Sequence, residues 1–376
     1  MFLALRELRF ARVRFGLMGA VIALISVLMV MLSGLSEGLV KDGVSGLQNI
    51  PVTSFAFERD VQHDAAFSRS VVDVSAVEKW RDRPGVADAA PYGNLLVNTE
   101  GQRGTEIDLA LFGVRPDSFL APQVDEGARL NEPDGVVVSA TALDAGLRVG
   151  DTITVDRLGT RLRIVGSTGR QDTFGHVDIG YVPLATWQRL KAGVGPDDPM
   201  PEHATRDITA VAVQAEPGAT VDLAAGDRAA GTESLTIDES FGASPGYTAE
   251  TTTLQLIQGF LYAISALVAG AFFAVWAIQR RHEVAVLRAM GASGGWVLRD
   301  ALTQAFILLL AAVAVGAAIG VALGALMTGG GVPFALSAPN VAAAAAGLIV
   351  LGLAGAGAAV ARIASIDPAT ALGGNR

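Results

Sequence analysis

AIQRRHEVAVLRAMGASGGWVLRD, residues 277–300, decides how this chain is read. Long apolar runs stand on either side of it. The segment is too charged to sit in a bilayer and too short to be a domain. Within it Val284, Leu287 and Met290, with Val286 alongside, recur at helical spacing, while Arg281, Glu283 and Arg288 lie off that stripe. GASGG then breaks the helix, and WVLRDALTQAF leads into the next apolar run. A basic amphipathic helix at a membrane face either lies in the headgroups or fits a groove on a partner. The rest of the chain supplies the setting for that choice.

Half the residues are hydrophobic and mean hydropathy is +0.43. Four uncharged windows are long enough to cross about 30 Å of hydrocarbon at about 1.5 Å per helical residue. The first is 15–36 and the second is 251–279. The third and fourth lie in one uncharged tract that the Gly- and Pro-bearing TGGGVPFALSAPN divides into 301–327 and 341–361, with 328–340 as a short external turn. The first window is too long for a signal-peptide core and lacks a clear cleavage site, so it is read as a span.

Basic residues set the orientation. Arg6, Arg9, Arg12 and Arg14 flank the first span, Arg280, Arg281, Arg288 and Arg299 separate the second from the third, and Arg362 follows the fourth. The positive-inside rule places all three groups in the cytoplasm. Segment 1–14 is then a cytoplasmic amphipathic N-terminal segment, 280–300 a cytoplasmic connector and 362–376 a cytoplasmic tail. Residues 37–250 lie outside and hold 18 Lys and Arg against 33 Asp and Glu, a net charge of −15, while the rest of the chain carries +6. The basic residues form juxtamembrane clusters, which gives nucleic-acid binding no support.

The external segment reads as mixed α+β. GVVVS, IGYVPL and ITAVAVQA have strand character, and DTITVDRLGTRLRIVGST alternates as a hairpin around a Leu-Gly-Thr turn. DVSAVEKWRDRPG, SATALDAGLRVG and LATWQRLKAGVG read as helices stopped at Gly85, Gly150 and Gly195. The expected architecture is thus an integral membrane protein with four transmembrane helices and a large extracytoplasmic α+β domain between the first and second.

There is no cysteine, so disulfides and thiolate ligation are excluded. No G-x-S-x-G, H-E-x-x-H or phosphate-binding G-x-x-x-x-G-K-[ST] occurs. No catalytic residues are expected, and any ATP is bound by another chain. The histidines, His63, His176, His203 and His282, are scattered. HVD at His176 is read as an ordinary surface loop rather than a metal site.

RRHEVAVLRAMGAS resembles the E-[IV]-x-[LV]-L-R-A-[ILM]-G-A segment of FtsX-like permeases, the MacB-type family of ABC transporters. The tail ARIASIDPATALGGNR is similar to that family's DPAxAL ending, and DGVVVSATALDAGLRVGDTITV resembles its external x-V-[LV]-[IV]-[SN]…LG-L-x-x-GD segment. One span, a large external domain and three more spans is also the family's order. The resemblance implies a permease homodimer in the lipid bilayer with two copies of a separate ABC ATPase subunit. It makes 280–300 the coupling helix, with Glu283, Leu287, Arg288 and Gly291 at matching positions. It also implies mechanotransmission, in which ATP-driven helix motion inside reshapes the external domain.

The family handles peptides, lipoproteins and haem, and some members only signal. Chain size, the lone permease form and SPGYTAETTTLQLIQGF before the second span resemble the haem-exporting branch, which makes haem the expected substrate. Export of peptide, lipid or lipoprotein and purely mechanical signalling stay open.

The residues bear on haem separately. Without cysteine, an axial ligand comes from His, Met, Tyr or a carboxylate, and no span contains His. Ile22, Ser26, Met29, Ser33 and Ser36 share an arc of the first helix, so Met29 sits on its protein-facing stripe and Met31 points away. Glu250 opens the second span from the same side, with Tyr247 just outside. Haem iron, the only metal expected, is thus assigned Met29 and then Glu250, with Tyr247, Ser26 and Ser33 around it. The plainer alternatives are a packing methionine, a carboxylate favoured by a helix N-terminus and an interfacial aromatic anchor.

Overall fold

The computed structural model describes residues 12–102, 104–279, 286, 290, 293–327 and 332–364. The chain divides into two units, one formed by 1–38 with 251–376 and the other by 39–250.

The membrane unit holds four helices long and apolar enough to span a bilayer. They are α1 (Arg12–Gln48), α6 (Tyr247–Gln279), α7 (Gly294–Met327) and α8 (Ala338–Ala364), the labels counting the external helices between them. Helix α1 continues past residue 36, where the charge-free window stops, to Gln48. Its apolar residues separate into two rows. Phe15, Met18, Ile22, Ile25 and Met29 are buried, whereas Leu17, Val21, Leu24 and Leu28 are exposed. Each row repeats at three- and four-residue steps, which keeps it on one face of a 3.6-residue helix.

Small residues bring these helices together. Apolar helices gain nothing hydrophobic by leaving lipid, so contact depends on close backbone approach and interhelical hydrogen bonds. A Cβ on Gly316 of α7 would lie 2.3 Å from the Ala23 carbonyl oxygen of α1, and one on Gly355 of α8 would lie 2.1 Å from that of Ala266 on α6. The Ser26 hydroxyl donates to the Val313 carbonyl at 3.0 Å, joining α1 to α7 inside the apolar interior. At the outer end Phe334 lies between α1 and α7, where Gly34 and Gly324 leave room for its ring.

The external unit is built on an eleven-stranded sheet. Its main strands are β1 (Ser54–Glu58), β2 (Val86–Gly101), β3 (Glu106–Val114), β4 (Gly135–Val138), β5 (Thr152–Val155), β6 (Arg161–Ser167), β7 (Thr173–Phe174), β8 (Val177–Pro183), β9 (Ala210–Ala215) and β10 (Thr232–Thr236). The order β10-β1-β9-β2-β3-β8-β4-β6 runs through the long β2, whose first half pairs with β9 and second half with β3. β5 and β6 form the expected antiparallel hairpin. Pairs β3–β8 and β4–β6 are parallel, and the other pairings of the ordered path are antiparallel.

The unit also carries helices α2 (Ala76–Arg81), α3 (Ala140–Asp144), α4 (Leu184–Lys191) and α5 (Leu223–Ala230), besides single turns at Ala66–Arg69 and Ile237–Ser240. Three of them are shorter than their sequence predicts, α2 ending at Arg81 rather than running to Gly85. α3 stops at Asp144 because Gly146 takes φ 114°, well before Gly150. α4 stops at Lys191, with Gly193 at φ 68°, rather than running to Gly195.

The core of this unit is aromatic. Phe55, Phe57, Phe67, Tyr92, Phe112, Phe174 and Tyr181 form edge-to-face or tilted pairs with centroids 5.0–6.1 Å apart. Such pairs add about 0.5–1.5 kcal/mol each beyond area burial. Val44 and Leu47, from the last turns of α1, are fully buried in the same core.

Candidate functional site

The β7–β8 hairpin shapes a polar cluster of the external unit. Phe174 anchors it, packed against Phe67 at 5.3 Å and Phe112 at 5.8 Å. Phe174 pairs with Val177, so only Gly175 and His176 form the turn. Both have positive φ, 58° and 65°, as a two-residue type I′ turn demands. Glycine adopts that conformation freely, but histidine does so at a cost.

The end of α1 meets this hairpin through its polar face. The Ser45 and Thr173 hydroxyls share a hydrogen bond of 2.8 Å, and the Gly175 N–H donates to the Gly43 carbonyl at 2.9 Å. Asn49 donates at 2.7 Å to Asp172, a carboxylate with no solvent exposure that also accepts from Thr168 and Arg170. A buried carboxylate is tolerable when it is this fully paired.

At the tip, His176 is held on both sides. Its Nδ1 lies 2.9 Å from Asp42 Oδ2 near the end of α1, and its Nε2 lies 3.0 Å from Glu250 Oε2 in the first turn of α6. Burial by itself would lower the imidazole pKa. Hydrogen bonds and charge from Asp42 and Glu250 outweigh it and hold the group above its ordinary value. Tyr247 stands beside the cluster, with its ring 6.3 Å from that of Phe241. Gly43 lies between the two side chains, since a Cβ there would sit 3.7 Å from His176 Cε1 and 3.8 Å from Tyr247 Cδ2.

The expected haem residues therefore fall into two sets. Ser26 and Met29 lie together on the buried face of α1, with Ser33 half-buried further along. Met29 is 1% exposed, packed in the core of the membrane unit that also contains Phe273 and Leu309. Tyr247 and Glu250 lie together in the external unit. Asp42 and His176 join that second set, and His176, read from sequence as a plain loop residue, is its centre. Its signal was FGHVD, a glycine–histidine pair between strand-like residues. Glu283, Leu287, Arg288 and Gly291 lie outside the described residues. Among the described residues, no cluster of three His, Asp or Glu side chains has the arrangement of a free metal-ion site.

A four-helix membrane unit that carries a sheet-rich domain between its first two helices is the architecture of a multi-pass permease. Residues 16–228 match the MacB-like periplasmic core domain and residues 256–368 the FtsX-like permease C-terminal domain. The chain belongs to this MacB- and FtsX-like family of ABC transporter permeases. It is a cell-membrane protein with the large domain outside, and the family implies an ATPase partner.

Among its relatives is a protein of Staphylococcus haemolyticus named for hemin transport as the system permease HrtB. It is 22% identical over 378 residues, covering 99% of each chain. An uncharacterized ABC transporter permease of Mycobacterium tuberculosis is 24% identical over 378 residues, covering 100% of this chain and 99% of the other. The periplasmic region of MacB from Actinobacillus actinomycetemcomitans aligns with TM-score 0.37 and 14% identity, over 51% of this chain and 92% of that one.

Proposed function

We propose that the chain is the permease of a haem efflux pump that takes its cargo laterally from the outer leaflet. The observation that carries the cargo is the end-to-end similarity to relatives named for hemin transport. Haem is largely apolar, so it partitions into lipid and needs no channel from the cytoplasm. Two permease chains would pair with two copies of a separate ATPase, and ATP binding would close the site by mechanotransmission. The exposed Leu17, Val21, Leu24 and Leu28 row of α1 offers a second copy an apolar face.

Met29 and Glu250 are the proposed iron ligands, with Tyr247, Ser26 and Ser33 nearby in the respective sets. Met29 is sealed by its neighbours and Glu250 faces His176, so an iron bond to either requires that contact to open. The test is a haemin titration of the purified protein followed by its Soret band. Saturable binding is expected, weakened about tenfold, roughly 1.4 kcal/mol, by Met29→Ala or Glu250→Ala. If haemin does not saturate the wild type, the permease assignment stands and the cargo is wrong. At the cytoplasmic face, Glu283, Leu287, Arg288 and Gly291 are proposed to couple to the ATPase. Glu283→Ala with Arg288→Ala should abolish its co-purification, and an unchanged complex would refute the coupling role.

A further inference from the structure

The cluster at the hairpin tip contains an arrangement that the ligand set above does not use. Metal-binding histidines characteristically give one ring N–H to a carboxylate, which fixes the tautomer and aims the other nitrogen at the metal. His176 has that partner in Asp42, at 2.9 Å from Nδ1. Its Nε2 faces Glu250, at 3.0 Å. The side chain is 32% exposed, so the ring can be reached from outside.

The turn supports the same reading. His176 adopts φ 65°, a conformation that costs a non-glycine residue energy, at a tip where asparagine, aspartate or glycine would be cheaper. Two hydrogen bonds hold Thr173 against Ser45, and Phe174 is fully buried, so the hairpin below the tip is fixed. The imidazole is thus presented on a rigid support, as a ligand requires. Gly43 keeps the space between His176 and Tyr247 free of a side chain.

We propose that His176 Nε2 binds the iron of the porphyrin cargo at the outer surface in place of a direct bond from Glu250, with Asp42 as its orienting partner and Glu250 as the carboxylate that moves aside. A ring that donates to both carboxylates gives up one proton when iron binds. The Nε2 proton passes to the Glu250 carboxylate, the Nε2 lone pair forms the iron bond, and Nδ1–H stays on Asp42. Iron keeps its oxidation state, and the water or chloride it carried in solution leaves. The inference rests on the haem reading, but on neither Met29 nor the direction of transport.

The experiment uses the full-length protein with haemin and, in parallel, iron-free protoporphyrin IX. His176→Ala should shift the Soret maximum and weaken haemin binding about tenfold, while protoporphyrin IX binding is unchanged because it has no iron to ligate. Added imidazole should restore the wild-type Soret band in His176→Ala. His176→Gln, whose amide preserves a hydrogen bond to the carboxylates, should behave as His176→Ala in the spectrum. Asp42→Asn should weaken haemin binding less than either. If wild type binds haemin saturably and both His176 variants keep its spectrum and titration, the ligand assignment is refuted and the haem reading survives. If both pigments weaken equally in His176→Ala and imidazole rescues neither, His176 is a structural clamp and the inference also falls. Absence of haemin saturation in wild type removes the haem reading and this inference with it.

Discussion

The two units of this protein solve the problem of specificity with opposite materials. The external unit uses interlocking aromatic rings and paired polar groups, from Phe55 and Tyr92 in the core to the buried Asp172. The membrane unit uses the absence of side chains, with Gly316 on Ala23 and Gly355 on Ala266. Water outside makes apolar burial favourable and lets polar residues choose partners. Lipid removes the first drive, leaving fit and a few hydrogen bonds. Substitutions that block the approach of one helix backbone to another should therefore harm the membrane unit most, and those that remove a polar partner should harm the external unit most.

The largest effect is expected for Gly316→Leu, whose Cβ would stand 2.3 Å from the Ala23 carbonyl oxygen. Overpacking there should cost about 3 kcal/mol and lower the melting temperature in detergent sharply. A wild-type melt would mean that α1 and α7 have room to spare, and the contrast between the units would fail.

Next comes Asp172→Ala, which removes the acceptor shared by Asn49, Thr168 and Arg170. A loss of about 2–3 kcal/mol is expected from the donors left behind. Protease sensitivity of the external unit in the intact protein measures it. An unchanged digestion rate would show that the aromatic core alone holds the end of α1.

The smallest effect concerns Asp73, an exposed carboxylate. Hydrogen bonds from the Ser75 hydroxyl and backbone N–H, and then Arg206, hold its pKa at about 2, below the ordinary 3.8. Its contribution is full above the ordinary value and is lost as pH falls through about 2. Solvent screening keeps it within about 0.5 kcal/mol. Asp73→Asn should therefore narrow slightly the stability difference between pH 5 and pH 2 in thermal melts. An unchanged difference would make the pair energetically silent.

The four spans were legible because charge-free runs of that length have few other uses. The β5–β6 hairpin was legible because Ile153, Val155, Leu162 and Ile164 alternate with polar neighbours. The long β2 was not, since Pro91 and Gly93 interrupt VADAAPYGNLLVNTEG and both normally weaken a strand. Met29 could be placed on an inward stripe from helical geometry alone. His176 could not be assigned its partners, because Asp42 and Glu250 are 134 and 74 positions away in sequence and only the folded sheet brings them to one hairpin. The continuation of α1 to Gln48 was hidden by Glu37, Lys41 and Asp42, which end the charge-free window without ending the helix.

Strand β1 has a consequence for how this protein is made. Among the described residues it pairs with β9 and β10 alone, and its register joins Ser54 to Thr236. At about 5–20 residues per second of synthesis, roughly 10–35 seconds separate the two partners on the ribosome. Until residue 210 is reached the SFAF of β1 is a complete strand with neither neighbour made, and from residue 215 to 232 it has β9 alone. The external sheet therefore closes around its first strand only near the end of its own translation, and a chain released before residue 210 would carry that strand with both edges unpaired.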